Sequence, residues 1–93
     1  MAYTSERSVK IERVLKALAN RRRLAIVQYL DASGPASVGA IADHIKLSFA
    51  ATSRHLRTLA AADLVVTRQV NTTVNYSLPK GTHPALNTVL RLL

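Results

Sequence analysis

The sequence predicts one small domain that is mostly α-helical and carries a single β-hairpin. Apolar residues recur with the helical period of about 3.6 up to residue 62, and the period becomes 2 over residues 65–78 before a last helical stretch. A chain of 93 residues with 48% hydrophobic residues also supports one core and is too short for two. The predicted order over residues 1–93 is therefore α-α-α-α-β-β-α.

The first helix is predicted within residues 5–20, with Thr4 or Ser5 as its N-cap. Its apolar stripe has the spacing i, i+3, i+4, i+7 and consists of Ile11, Val14, Leu15 and Leu18. The other side is basic and carries Arg7, Lys10, Arg13 and Lys16. Such a face is usually solvated, and its charge also raises non-specific attraction for a polyanion.

Two further helices are predicted before residue 46. Asn20 is a good N-cap for residues 21–33, and Gly34-Pro35 is the stop signal. This second helix should lie largely in the core because of its apolar residues, which are Leu24, Ile26, Val27 and Leu30. Ser37 then caps a short third helix over residues 38–45.

The fourth helix is predicted from its N-cap Ser48 to about residue 62, after a tight turn through Lys46 and Leu47. Its core face should consist of Thr52, Leu56, Leu59 and Ala60. The opposite face combines guanidiniums with small side chains and consists of Ala50, Ser53, Arg54, Arg57 and Ala61. Arginine can grip guanine or hold phosphate, and small neighbours let a helix enter a major groove, whereas the alternative is a merely solvated face. The preceding short helix and turn favour DNA contact, because together they form a helix-turn-helix.

A β-hairpin is predicted over residues 65–78, with its turn near Asn71 and Thr72. Pro84 then suits the first turn of a last helix. Three helices followed by a hairpin form a winged helix-turn-helix. The last helix carries an apolar stripe of Leu86, Val89, Leu90 and Leu93, which either packs on its own domain or forms a dimer surface with the first helix.

Charge and composition limit the classes of partner and binding site that the protein can have. Thirteen Lys and Arg against five acidic residues give a net charge of +8, which favours nucleic acid or an anionic membrane surface as partner. With three Tyr, one Phe and no Trp, the chain lacks the aromatic residues of a membrane-surface binder. The absence of cysteine excludes disulfides and thiolate metal sites. No apolar stretch suits a membrane span or a signal peptide, so we expect a soluble, cytoplasmic protein.

The sequence offers no constellation for catalysis or for a metal. It has no Ser-His-Asp spacing, glycine-rich phosphate loop or carboxylate pair, so an enzyme is not expected. Asp43 and His44 are adjacent and point to different sides of a helix, and His83 has no nearby carboxylate. We therefore expect neither a metal nor a cofactor.

Three stretches resemble the ArsR-type (ArsR/SmtB) transcriptional repressors: "LKALANRRRLAIVQYL", "SVGAIADHIKLSFAATSRHLRTLAAADLV" and "VNYSL". The similarity covers residues 14–78, and its most specific part is Leu47, Ser48, Ser53, Arg54, His55, Leu56 and Leu59 followed by Leu64-Val65. The resemblance implies a homodimeric winged helix that places its fourth helix in the major groove of operator DNA. It also implies that Arg23 is structural rather than a base reader, and that the terminal helices form the dimer through Ile11, Val14, Leu18, Leu86, Val89, Leu90 and Leu93.

The sequence departs from the family at several positions. The third helix lacks the cysteine motif through which many members sense metals. Phe49 stands where Gln or Pro is frequent and either contacts a thymine methyl or packs at the core edge, and Ala50 stands where Ser is common. Asn71 and Thr72 replace a Gly-Arg wing tip, which leaves Arg68 at the base of the wing to contact phosphate. His55 is expected to donate to a phosphate or within the chain.

We therefore predict a homodimeric, sequence-specific DNA-binding regulator of the repressor type, without thiolate metal sensing. The residues expected to contact DNA are Lys46, Ser48, Phe49, Ala50, Ser53, Arg54, His55, Arg57, Arg68, Asn71 and Thr72. The alternative function is a winged-helix module that binds another protein. The sequence leaves open whether DNA binding is constitutive or controlled by an organic effector or a protein partner.

Overall fold

The computed structural model describes residues 5–93, so that Thr4, one of two N-cap candidates, lies outside the described residues. The elements are α1 (Glu6–Leu18), α2 (Arg21–Ser33), β1 (Ala36–Ser37), α3 (Val38–Ile45), α4 (Phe49–Ala61), β2 (Val66–Val70), β3 (Thr73–Ser77) and α5 (Pro84–Leu92). The predicted order of helices and hairpin is confirmed, with the short strand β1 as an addition. No helix in this part of the chain has both the length and the apolar character needed to span a bilayer.

The predicted helix caps are confirmed by hydrogen bonds. Asn20 Oδ1 accepts from the backbone N–H groups of Arg22 and Arg23, at 2.9 and 3.1 Å. The hydroxyls of Ser5, Ser37 and Ser48 each accept one N–H from the first turn of α1, α3 and α4. These bonds satisfy donors that a helix N-terminus leaves without an internal partner, which is why each helix starts where it does.

The sheet has the strand order β1-β3-β2, and both pairs are antiparallel. Strand β1 was not predicted, because two residues are too few to show an alternating pattern. It pairs Ala36 with Tyr76 and so ties the hairpin to the segment that enters α3. Val70 pairs with Thr73, which leaves Asn71 and Thr72 as the turn, and Asn71 adopts the left-handed φ of 58° that asparagine tolerates.

The core is formed where all five helices meet the base of the hairpin. Its fully buried side chains include Ile26 of α2, Ile41 of α3, Leu56 of α4, Leu86 of α5 and Leu64 in the segment between α4 and β2. In α1 the buried stripe is Val14, Ala17 and Leu18, while Leu15 remains 51% exposed. Leu15 thus lies on the predicted apolar stripe but outside the buried face of α1, which includes Ala17 instead.

Candidate nucleic-acid interface

The turn between α3 and α4 sets the direction of the second helix. Lys46 ends α3 in the left-handed conformation, at φ 58° and ψ 47°, and the backbone N–H of Leu47 donates to Ala42 O at 3.1 Å. Ser48 follows at once as the N-cap of α4, with its Oγ 3.1 Å from Ala51 N. Three residues thus connect two capped helices, which is the geometry of a helix-turn-helix. Lys46 and Ser48 both lie exposed at this turn.

The inner face of α4 is seated in the core. Thr52, Leu56 and Leu59 are all fully buried, as the helical spacing predicts. The Thr52 hydroxyl has no hydrogen-bond partner among residues 5–93. Burial of three side chains on one side of a helix fixes its rotation, and the opposite side is consequently held toward solvent.

The outer face of α4 presents the residues expected there. Ala50, Arg54 and Arg57 are exposed, and Ser53 is half-buried. Arg57 Nη1 donates to Ser53 Oγ at 3.1 Å, which aligns that guanidinium along the helix. The Arg54 side chain takes part in none of the hydrogen bonds or ion pairs found among residues 5–93. All five of its N–H donors are therefore available to a ligand.

Phe49 lies at the first position of α4 and is 63% exposed. Of the two alternatives for this residue, packing at the core edge is wrong. Helical spacing places Phe49 near Thr52 and Leu56 around the helix axis. Thr52 and Leu56 are buried, whereas Phe49 comes one turn before Thr52 and lies outside the core. A large apolar ring is therefore exposed at the N-terminus of α4.

A second group of contacts holds α4 from the side. Arg23 Nε donates to Ala17 O at 2.5 Å and Nη2 donates to Lys16 O at 3.3 Å. These carbonyls lie in the last turn of α1, where a helix leaves its carbonyls without internal partners. Arg23 Nη1 lies 3.1 Å from His55 Nδ1. One guanidinium thus connects α1, α2 and α4, which confirms the structural role expected for Arg23.

Nδ1 of His55 serves here as an acceptor, so the donor role expected from the sequence falls to Nε2–H. Because arginine stays protonated, its N–H must donate and Nδ1 of His55 must accept. Burial lowers the pKa of His55 below its ordinary value of 6.5, and the neighbouring charges of Arg23, Arg22 and Arg54 lower it further. His55 is consequently neutral at neutral pH, and its ring carries one N–H, at Nε2.

The wing is much more exposed than α4. Every residue of β2 is exposed, and Arg68 lies in the middle of that strand, opposite Asn75, instead of at the base of the wing as expected. Side chains alternate between the two faces along a strand, so Val66, Arg68 and Val70 of β2 point to one side. The tip, Asn71 and Thr72, is exposed and carries no charge.

The residues expected at a dimer interface divide into two groups. Val14, Leu18 and Leu86 are buried in the core of their own chain, where α1 packs against α5. A partner chain would therefore not meet these three side chains directly. The other four are half-buried or exposed and are Ile11, Val89, Leu90 and Leu93.

The remaining charged residues form no further site. On the basic side of α1, Lys10 pairs with Glu6 at 3.6 Å and Lys16 pairs with Glu12 at 4.0 Å. All four side chains are mostly exposed, so these ion pairs stabilise the helix only slightly. Nowhere in residues 5–93 do three His, Asp or Glu side chains come together as a metal ion would need.

The chain is similar to known transcriptional regulators over most of its length. A model described as a helix-turn-helix domain matches residues 18–68, which span α2, α3, α4 and the start of the wing. The HTH-type transcriptional regulator Rv2034 of Mycobacterium tuberculosis is 40% identical over 79 residues, and the match covers 85% of this chain and 73% of that protein. The transcriptional activator HlyU of Vibrio cholerae is 42% identical over 71 residues, which cover 76% of this chain and 65% of HlyU.

Solved structures give the same result for the fold. Reduced HlyU from V. cholerae superimposes with a TM-score of 0.78 at 37% identity, over 95% of this chain and 88% of that one. A solution structure from Mycobacterium bovis, of Mb0332, has a TM-score of 0.75 at 34% identity and covers 99% of this chain and 82% of that one. It is described as the homodimeric winged helix-turn-helix DNA-binding domain of a possible ArsR-family transcriptional regulator.

Proposed function

Because this chain belongs to the ArsR-type winged helix-turn-helix transcriptional regulators, we propose that it binds operator DNA as a homodimer and represses transcription from that site. In this proposal α4 is the recognition helix and enters the major groove. This function requires no catalysis. It also does not involve thiolate metal sensing, since the chain contains no cysteine. A DNA-binding regulator works where the DNA is, so we expect it in the cytoplasm.

The outer face of α4 is the observation that carries the proposal. A helix whose inner side is fully buried presents two exposed guanidiniums, flanked by small side chains, on a chain with a net charge of +8. Small residues permit close approach to base edges, and each arginine can bind guanine O6 and N7 with two parallel hydrogen bonds. The excess of positive charge attracts the phosphate backbone over longer distances.

The exposed apolar side chains of the terminal helices support the proposal of a homodimer. Val9 and Leu15 of α1 are 48% and 51% exposed, and Leu92 and Leu93 at the end of α5 are 80% and 50% exposed. Apolar groups concentrated at the two ends of a highly charged chain favour self-association. A twofold dimer would place two recognition helices about 34 Å apart, which suits successive major grooves on one side of DNA. Sedimentation equilibrium should then give about twice the 10.1 kDa chain mass.

Repression is proposed as the output because a dimer seated in a promoter competes with other proteins for the same DNA. The relative HlyU is named a transcriptional activator, so the direction of regulation needs its own measurement. A reporter gene placed behind the bound promoter should be expressed more strongly when this protein is absent. Weaker expression without the protein would contradict repression while leaving DNA binding intact.

The proposal is tested by fluorescence anisotropy with two duplexes, the DNA upstream of the protein's own gene and a scrambled sequence of the same composition. At two salt concentrations we expect tighter binding to the native duplex and a steep loss of affinity with salt. The matched control is the double variant Arg54→Ala, Arg57→Ala, which should bind both duplexes equally weakly. Equal binding of both duplexes by the unaltered protein would reject sequence-specific regulation and favour the protein-binding module.

A further inference from the structure

Phe49 is the only phenylalanine of the chain and occupies an unusual place for one. At 63% exposure it contributes little to the core, although burial of such a ring would stabilise the fold. Its position at the start of α4 matters, because the N-terminal residues of a recognition helix are those that reach base edges. Helical side chains also lean toward the N-terminus, which carries the ring beyond the end of α4.

The surroundings of Phe49 define what it can contact. Successive residues advance by about 100° around a helix, so Ser53 lies about 40° from Phe49 on the same side. Ala50 is the next residue and has only a methyl group. By the same count Arg57 lies about 80° and Arg54 about 140° from Phe49, so the exposed ring stands at the N-terminal edge of the outer face and not in line with the guanidiniums. Because the ring extends from the N-terminus of α4, DNA that faces this end of the helix would meet it.

The chemistry of the major groove leaves one group on the base edges that a phenyl ring can contact favourably. A phenyl ring neither donates nor accepts hydrogen bonds. Base edges in the major groove present polar atoms, with one exception, the C5-methyl group of thymine. Cytosine at the same place lacks that methyl and presents an amino group, which would lose its water on contact with the ring. A polar residue at this position would instead recognise a donor or acceptor.

We infer that Phe49 is a specificity-determining residue that selects thymine at one position of each half-site by packing on its C5-methyl group. This inference rests on the proposed function, because it requires α4 to lie in the major groove. Removing one methyl from an apolar contact costs affinity by about fourfold for one half-site and about fifteenfold for both.

The test replaces thymine by uracil, which pairs in the same way and lacks only the C5-methyl group. A duplex selected from a random pool with the unaltered protein supplies the operator, and each thymine is then exchanged singly in anisotropy titrations. We expect one sensitive thymine in each half-site. Phe49→Ala should lose this sensitivity, whereas Phe49→Leu, which keeps an apolar side chain, should retain most of it. Because Phe49 is exposed, both variants should fold, which circular dichroism verifies.

Two results would overturn the inference in distinguishable ways. If the pool yields a preferred sequence but no thymine in it is sensitive to uracil, or if Phe49→Ala keeps the same sensitivity, the role of Phe49 is rejected and the proposed function stands. If the pool yields no preferred sequence, the proposed function fails and the inference fails with it.

Discussion

The recognition helix α4 and the wing formed by β2 and β3 differ in how firmly the rest of the chain holds them. Three side chains of α4 are fully buried, and His55 on its flank is bonded to Arg23. In β2, by contrast, every residue is exposed, and the strand is held mainly by its pairing with β3. Both regions adjoin the same core, but α4 has three fully buried side chains and β2 has none.

This difference bears on the kind of contact each region can make. A side chain on a fixed helix loses little freedom when it binds, so a directional contact with a base edge is favoured there. A flexible charged side chain suits phosphate, which is reached from many directions and carries no sequence information. We therefore expect specificity from α4 and a smaller, sequence-independent contribution from the wing.

The largest effect is expected from the arginines of α4. Arg54→Ala or Arg57→Ala should weaken binding to the operator by about 1–3 kcal/mol each, because a two-bond contact with a guanine is lost. Binding to a scrambled duplex should change less. Anisotropy titrations measure both, and Lys80→Ala, which removes one exposed positive charge from the segment after β3, is the matched control. Unchanged affinity in both arginine variants would reject the assignment of this face.

The anchoring of α4 is tested by Arg23→Ala. Loss of a guanidinium that makes three hydrogen bonds should lower the free energy of unfolding by about 2 kcal/mol, as measured by urea denaturation. Its exposed neighbour supplies the control: Arg22→Ala should change the stability by less than about 0.5 kcal/mol. Equal effects of the two substitutions would mean that the contacts of Arg23 do not hold α4.

For the wing we expect a weaker and more uniform effect. Arg68→Ala should reduce affinity for operator and scrambled DNA by the same factor and should lower the slope of log affinity against log salt by about 1, as expected for one phosphate contact. Titrations at several salt concentrations give this slope. A selective loss of operator binding would show that the wing reads sequence, and the contrast with α4 would then be wrong.

The smallest effect concerns the protonation of His55. Its pKa is lowered in the folded chain, chiefly by burial and then by Arg23, so the unfolded chain binds more protons below neutral pH. The contribution to stability is therefore fully present above pH 6.5 and is lost as the pH falls from there through the folded pKa. Urea denaturation between pH 7.5 and about 5 should show this decrease. The non-titrating variant His55→Gln should show a flatter profile, and identical profiles would refute the effect.

The predictability of the site differs from residue to residue. The exposed face with Arg54 and Arg57 could be predicted, because helical spacing alone assigns residues to opposite sides. The hydrogen bond between Arg23 and His55 could not, since it joins residues 32 positions apart. The role of His83 as N-cap of α5, where Nδ1 accepts from Ala85 N at 3.0 Å, was also missed. An adjacent Pro84 was the only local signal, and histidine is not among the usual capping residues.

The sequence by itself determined the order of the elements, the caps of α2, α3 and α4 and the sides of α4, because each depends on residues within a few positions of one another. Only the tertiary structure decided which apolar side chains the core admits. It buried Val14, left Leu15 exposed and placed Phe49 outside the core, although all three fit a helical apolar stripe. Burial depends on where neighbouring helices meet, and that is set by contacts between distant residues. For this reason the sequence could not decide whether Phe49 packs at the core edge or lies on the surface. The packing of the helices leaves it on the surface.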